Sequence, residues 1–517
     1  MDPVAIIGNG PVGQTTALLL ARWGVPTVLL DRRPARDPVG SKAICQQRDV
    51  LDIWSAVGAG ERIAAEGVTW TLGRTFHRGR ELFTYEFGES GRAAFPPFVN
   101  ISQSRTEQIL DERVAAQPLV EPRWGCAVDA IAQDADGVTL TCGDGCEVRA
   151  PYAVLCAGAR AEELRAQLGI GFHGHSFDDR FLICDIRTDL PGWATERRFH
   201  FDPEWNPGRQ VLVHPCPDST FRIDWQVPSD YDLDAEVASG ALDRRIRQVV
   251  DGRDYEIVWK SVYRFQSRCA DRLRAGRVLL AGDAAHLFSP FGARGLNSGV
   301  ADAENAAWKL AHVLRGWAGE ELLESYHVER HAAARENLEI TTATMDFLVP
   351  QSPAAAEHRR GVLERAADDP GARGLVDSGR LAEPFWYVDS PLTTPNPDRP
   401  FAGRPPRGAV PAAGPGVLVP DAPVPGRRFR ELCREGFTLL TTPGVDPAAV
   451  AKAVDAVAGP VQVHELAAVD ETGTLGAALD ARADEVWVIR PDAHVAAVLV
   501  RPDAAGLESA LRRARGG

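Results

Sequence analysis

VAIIGNGPVGQTTALLLARWGVPTVLLD, the stretch from Val4 to Asp31, decides the fold. Val4–Ile7 is four apolar residues in a row and reads as a short buried strand. Val12–Trp23 has the period of an amphipathic helix and stops at Gly24, and Pro26–Leu30 reads as a second strand. A strand, a helix and a strand in this order form a βαβ unit, whose crossover places the two strands parallel in one sheet. Between the first strand and the helix stands Gly8-x-Gly10-x-x-Gly13. In that context Gly8 allows a tight turn, Gly10 lets the backbone approach a pyrophosphate, and Gly13 lets helix and strand pack closely. The unpaired N–H groups and the dipole of the helix N-terminus favour the phosphates. Asp31 ends the second strand, about 20 residues on, where a carboxylate accepts hydrogen bonds from a ribose diol. These residues predict a dinucleotide-binding α/β domain.

The fingerprint alone does not separate NAD from FAD, and it occurs once; Gly58-Ala59-Gly60 follows a helix, not a strand. A second stretch decides the question: RVLLAGDAAHLFSPFGARGLNSGVADAEN, Arg277–Asn305. A buried strand ends in Gly282-Asp283, and a Pro- and Gly-rich loop then leads into a helix starting near Asn297. An aspartate at a strand's C-terminal end is placed to hold a polyol hydroxyl. The helix start aims free N–H groups at negative charge.

Elsewhere, the pattern predicts a helix over Ile44–Val57, short strands and turns over about 66–98, a helix over Gln103–Ala116, and strands at Val138–Thr141 and Ala153–Cys156. Residues 171–267 form a strand-rich insertion with many aromatics, among them Phe199, Trp225 and Tyr263. Helix returns from Asn297 to about Val349, and the Pro-, Gly- and Asp-rich stretch that follows reads as a linker. A compact C-terminal unit comes last, in the order strand, helix, strand, helix, hairpin, helix.

Bulk properties exclude several classes. The formal net charge of −14 opposes binding to nucleic acid, which needs clustered Lys and Arg. Apolar runs such as Ala17–Ala21 fall far short of the ~20 residues of a membrane helix, and no secretory leader is recognisable, so a cytoplasmic protein is expected. The nine cysteines are scattered, which suggests reduced thiols; Cys142 and Cys146 flank a turn and lack the second pair of a zinc site. His327 and His331 are four apart, but Val328 stands where a zinc protease needs its glutamate, so no metal is expected.

Together these segments resemble the single-component FAD-dependent aromatic hydroxylases, the family typified by p-hydroxybenzoate hydroxylase and phenol hydroxylase. The resemblance is closest to the hydroxyphenylpropionate-hydroxylase-like branch. It extends along the chain through the spacing of Pro203–Gly208, HPCPDSTFRIDWQV from His214, and LLESYHVERHAAARENL from Leu322. It implies an α/β fold: a Rossmann-like FAD-binding domain interleaved with a β-sheet substrate domain, plus a C-terminal thioredoxin-like domain. The corresponding boundaries are 1–170 for the FAD-binding part (with substrate-domain strands at about 66–98) and 171–267 for the substrate sheet. Residues 268–349 complete the FAD half, 350–405 form the linker and 406–517 the thioredoxin-like unit.

By the same resemblance, Gly8, Gly10, Pro11, Val12 and Gly13 cradle the FAD pyrophosphate, Asp31 holds the adenosine ribose, and Arg32 lies near the adenine. Lys42 takes the place of an arginine near the pyrophosphate, keeping the charge but losing the fork. Gln103, followed by Glu107, contacts the ribityl or phosphate region, and Gly282 and Asp283 bind the ribityl chain. Pro290 and Gly292 flank the isoalloxazine, and Gly295, Leu296 and Asn297 present N–H groups to its N1/O2 edge. One motif departs from the family: where relatives carry Asp-Gly, this chain has Ala157-Gly158, with Arg165 retained. That puts the choice of reductant, NADPH or NADH, in question.

The implied reaction is hydroxylation of a small phenolic or polycyclic aromatic by O2 and NAD(P)H through a flavin C4a-hydroperoxide, in a pocket that keeps water away. His200, His214, Arg222, Asp224 and Tyr263 are candidates for binding or deprotonating a phenol. The same scaffold serves epoxidation, Baeyer–Villiger insertion and decarboxylative hydroxylation, and a non-catalytic flavin-fold binding protein is the remaining alternative. A flavin halogenase is disfavoured because no two tryptophans have WxW spacing. The C-terminal unit has no CxxC, and Cys433 alone cannot perform dithiol chemistry. Packing or dimerisation, giving a homodimer, is its expected role. All the flavin residues precede it, so its removal is expected to spare flavin binding.

Overall fold

The computed structural model describes residues 1–37, 40, 43–87, 93–406 and 409–517. Its centre is a sheet in which Val278–Leu280, Ala153–Leu155, Val4–Ile7, Thr27–Asp31 and Val120–Trp124 lie side by side, all parallel. Each of the first four is buried along its whole length, as expected of a sheet covered on both faces. The strand order reverses beside Val4–Ile7, so Gly8, Asp31, Cys156 and Gly282 cluster at the carboxyl end of the sheet. This is the crevice where open α/β sheets bind ligands.

The helices Pro11–Arg22 and Arg294–Leu314 pack together over this sheet. The second spans 21 residues and lies against the helix Glu321–Leu348. Its face toward that neighbour is polar yet buried: Ser298, Asp302, Asn305 and Lys309. Four such groups in a helix interior require partners, which are described below.

The second large sheet has eight strands, and two of them, from residues 72–86, precede the other six in the chain. Leu72–His77 pairs in parallel with Glu196–Phe201 and antiparallel with Arg80–Glu86. The strands Gln210–Cys216, Thr220–Val227, Phe172–Arg187 and Glu256–Ala270 continue it. Leu72–His77 and Arg80–Glu86 thus form the edge of a sheet whose other strands come from later in the chain. Two helices, Leu233–Ala238 and Ala241–Val249, cover its back.

Three expectations are corrected. The helix expected over Ile44–Val57 begins only at Arg48, because Cys45–Gln47 is a strand paired with Phe98–Asn100. Strand partners far along the chain override local period here. Residues 350–405 are no simple linker: Pro353–Ala366 is a helix, and Leu381, Trp386, Tyr387 and Leu392 are buried. Cys126 and Cys142 form a disulfide with Cα atoms 5.8 Å apart, where free thiols had been expected. Antiparallel pairing of Val128–Gln133 with Val138–Cys142 creates that proximity, which spacing along the chain does not reveal.

In the C-terminal unit Val461–Glu465, Phe437–Thr441, Glu485–Ile489 and Val495–Val500 lie in that order. The first two are parallel and the third is antiparallel to its neighbours. Val450, Ala453, Leu507 and Leu511 on one side share a core with Trp308 and Leu322 of the two long helices. Among the described residues no helix is long and apolar enough to cross a membrane, and no cluster suited to a metal ion is present.

Candidate functional site: a glycine-lined crevice and a polar sheet face

At the tip of the first strand the backbone is packed to its limit. Gly8 has φ +114°, and a Cβ there would lie 2.3 Å from the carbonyl oxygen of Cys156. One on Gly13 would lie 1.9 Å from the carbonyl oxygen of Gly8. Around Gly10 the case is opposite: no described atom lies within 4 Å of a Cβ built there. Two glycines close the turn and the third leaves open space at a helix N-terminus that carries Pro11 and no side-chain cap. Val12 points inward, against Gly282 and Gly299, and so joins the first glycine-rich turn to the second.

Asp31 is buried, and its Oδ2 accepts a hydrogen bond from the Asn9 N–H at 2.8 Å. Its Oδ1 accepts from the Arg33 N–H (2.9 Å) and Nε (3.0 Å), and Oδ2 also from Arg33 Nη2. Burial opposes ionisation, but the bonds from Arg33 and Asn9 outweigh it and hold the carboxyl below its ordinary value. The four bonds fill the acceptor sites of the carboxylate. Here Asp31 organises the Gly8–Gly10 loop, and any further donor would have to compete with Arg33 for it. Arg32 is exposed, while Arg33 and Arg36, which sequence reasoning passed over, do the bonding. Arg36 donates to the carbonyl oxygen of Asn9 (2.7 Å), to Glu107 (2.9 Å) and to Asp111 (2.8 Å). Gln103 donates to Glu107 (2.8 Å) and accepts from the Ala43 N–H (3.1 Å). Lys42 lies outside the described residues.

The second glycine-bearing turn is a 3-10 turn, Gly282–Ala284, after the strand Val278–Leu280. Asp283 is exposed at the crevice. The Gly282 N–H donates to Asp302 Oδ2 at 3.0 Å, and His286 Nε2 lies 2.7 Å from the same oxygen. Arg165 Nη1 donates to the carbonyl oxygen of Ala284, so the arginine of the eroded motif still supports this turn. Ala157 is half-buried and Gly158 has φ +71° with open space around it.

The following loop is tied down as well. Gly292 has φ +105°, and a Cβ there would lie 2.2 Å from the carbonyl oxygen of Arg380. Asn297 accepts from the Gln47 N–H (3.0 Å) and donates to the carbonyl oxygen of Cys45 (3.0 Å). Its side chain thus fixes the Cys45–Gln47 strand. Pro290 is exposed and Gly295 and Leu296 partly so, and no described atom approaches a Cβ on Gly295.

Facing this loop is one side of the eight-stranded sheet. The register sets Arg222 between Asp185 and His214, and Asp224 between Ile183 and Leu212, so these side chains share a face. Cys216 on that face and Ala293 of the loop pack against one cluster that includes Cys45, and Phe181 and Phe199 pack with Phe291. The face therefore spans the loop from Phe291 to Ala293. Arg222 is locked to Asp185 by two bonds of 2.7 and 2.9 Å. Asp224 Oδ1 and His214 Nδ1 are buried with no hydrogen-bond partner among the described residues. Burial, and then the charge of Asp185, push the Asp224 carboxyl up to about 7 against the pull of Arg222 and Arg197. Burial together with Arg197 and Arg222 drives His214 well below its ordinary value, so it is neutral. Two other candidates do not join this group. His200 lies on the opposite face, stacked on Phe76 at 4.7 Å, and Tyr263 pairs with Phe181 two rows from Arg222.

A family model described as an FAD binding domain matches residues 1–341. A 3-(3-hydroxy-phenyl)propionate/3-hydroxycinnamic acid hydroxylase of Mycobacterium sp. (strain KMS) is 28% identical over 98% of this chain and 90% of its own length. A dialkyldecalin synthase of Streptomyces rugosporus is 34% identical over 71% of this chain and 77% of its own. Among solved structures, the flavin-dependent monooxygenase PieE in complex with FAD and substrate is similar, with a TM-score of 0.86 and 25% identity. The match covers 99% of this chain and 98% of that one.

Proposed function

The chain belongs to the FAD-binding domain family, and we propose that it is an FAD-dependent monooxygenase that hydroxylates a small aromatic molecule. The observation that carries this reading is the opposition of two surfaces. A crevice edged by Gly10, the exposed Asp283 and Gly295 faces a sheet wall where a polar atom of His214 and one of Asp224 are buried with no partner among the described residues. The crevice fits an extended dinucleotide: Gly8–Gly13 would take the pyrophosphate, Asp283 the ribityl chain, and the Gly295–Asn297 helix start the electron-rich edge of the ring. When bound, FAD reduced by NADPH or NADH would supply the electrons that activate O2, one atom of which goes to the ring and the other to water.

The protein's own part is to hold and deprotonate the substrate. A phenol hydroxyl set against Asp224 gains an acceptor that titrates near neutral pH, and loss of its proton makes the ring a better nucleophile. Neutral His214 offers a second hydrogen-bonding atom, and the Arg222–Asp185 pair braces the wall beside it. Phe181, Phe199 and Phe291 keep water from the reacting face.

The sheet order of the C-terminal unit supports a thioredoxin-like reading, without dithiol chemistry: Cys433 is buried and its thiol is pushed up to about 12 by burial. Buried thiols at Cys45, Cys156, Cys184 and Cys269 support a reducing, cytoplasmic setting, and the Cys126–Cys142 bond pulls the other way.

The test is direct. The purified protein should be yellow and release FAD on denaturation. NAD(P)H oxidation screened across phenolic and polycyclic aromatics under 18O2 should give a product carrying one labelled atom. Absence of FAD, or a product without label, would overturn the reading.

A further inference from the structure

The polar face of the Arg294–Leu314 helix finds its partners in two residues adjacent in sequence, Glu329 and Arg330, and these look toward different parts of the molecule. Arg330 Nε donates to Asp302 Oδ1 at 2.7 Å, and Asp302 Oδ2 receives the Gly282 N–H and His286. Arg330 Nη2 bonds Ser298 and Nη1 bonds the Tyr387 hydroxyl at 3.0 Å. Glu329 accepts from Lys309 (2.6 Å) and Asn305 (2.7 Å), and two bonds come from Arg490 in the C-terminal hairpin. Arg490 is held in turn by Asp492, which also accepts from Trp308 Nε1 at 3.1 Å. Tyr387 closes the circuit, with the Arg490 guanidinium 4.9 Å from its ring centre and the His494 ring at 4.4 Å. All of the charged members are buried, and the charges of Asp302, Arg330, Glu329, Lys309, Arg490 and Asp492 cancel.

We infer that this chain makes the C-terminal unit a positioning element for the flavin crevice. Arg490 fixes Glu329 and, through the Glu321–Leu348 helix and Tyr387, Arg330; Arg330 fixes Asp302; and Asp302 holds the N–H of Gly282 immediately before Asp283. A buried carboxylate whose arginine is lost must find another donor or become protonated, and either change reorients its remaining bonds. In Asp302 the remaining bonds are those that shape the Gly282–Ala284 turn. The C-terminal unit thus acts on the flavin site without touching it. The inference rests on the assignment of this crevice to FAD.

The experiment uses the full-length holoprotein with Arg490→Met, Asp302→Asn, both together, and exposed Arg512→Ala as control. Three properties are read: the FAD dissociation constant by ultrafiltration, the visible spectrum of the bound flavin, and amide hydrogen exchange over Gly282–Ala285. Expected are an about tenfold weaker FAD affinity in each single variant, a shifted flavin band, and faster exchange at Gly282. The double variant should be no worse than the weaker-binding single, because both cut one chain. Arg512→Ala should match the parent. If Arg490→Met does not fold, Arg490→Lys replaces it, keeping the charge but losing the fork. A folded Arg490 variant with parental FAD affinity and parental exchange overturns the inference, as do multiplicative effects in the double variant. A parent that binds no FAD removes the functional reading instead, and the exchange measurement on that protein still decides whether Arg490 controls the turn.

Discussion

Gly299 lies so close to Val12 that a Cβ on the glycine would fall 2.6 Å from the valine Cγ2. This contact seats the helix Arg294–Leu314 on the helix Pro11–Arg22, and it yields a sharp contrast among glycines. Gly13→Ala and Gly299→Ala should each lower apoprotein stability by about 1–3 kcal/mol through overpacking. Gly10→Ala should leave the apoprotein melt within about 0.5 kcal/mol of the parent and weaken FAD binding instead. Thermal melts with and without added FAD check all three.

Asp224 sets a pH dependence whose direction follows from its environment. Its folded carboxyl titrates near 7, above the ordinary 3.8, so the folded state holds a proton that the unfolded state releases. The stability this gives is complete below pH ~4 and is lost as pH rises through ~7. Asp224→Asn should therefore flatten stability between pH 4 and 8, with a gain on the order of 1–3 kcal/mol at the upper end. It should also remove the rise in substrate turnover through neutral pH that deprotonation of a phenol requires. Urea unfolding and kcat/KM, each measured across pH, test the two claims separately.

Removal of the C-terminal unit should not be benign. A chain ending at Pro405 exposes Trp308 and Leu322, each forfeiting about 1.5–3 kcal/mol of burial, and leaves Glu329 without Arg490. The truncated protein should aggregate or melt without cooperativity, and should not retain FAD. A monodisperse truncated protein with bound FAD and a parental melt would contradict this.

Thiol chemistry offers an independent check of the packing. Cys146 is the exposed free cysteine, while burial pushes Cys45, Cys156, Cys184, Cys269 and Cys433 up to about 12. A thiol reagent at pH 7 should label Cys146 rapidly in the native protein, half-buried Cys216 slowly and the others not at all. Unfolding without reductant should reveal every cysteine but Cys126 and Cys142.

The flavin half of the fold was legible because its signals are local. Gly8, Gly13 and Gly282 each sit at a place where the chain turns within a few residues, and their spacing survives in the sequence whatever else surrounds them. Asp302 and His286 lay within the same quoted stretch but gave no sign of sharing a proton-bearing contact, since sixteen residues separate them along the chain. Arg490 and Glu329, 161 residues apart, could not be paired by any rule of spacing. The helix misplaced onto Ile44–Gln47 failed for the same reason, since Asn100 and Asn297 hold that segment extended from afar. On the sheet face, alternation could sort His214 from His200 only once strand pairing was known.

The parallel pairing of Leu72–His77 with Glu196–Phe201 also has a consequence in time. On the ribosome, at ~5–20 residues per second, the first strand emerges roughly 6–25 seconds before its partner. The central strand Val4–Ile7 waits longer still, since its neighbour Ala153–Leu155 is made about 150 residues later. Through that interval the nascent chain carries unpaired strand edges, so the yield of soluble protein should depend on the speed of translation and on chaperones that shield those edges.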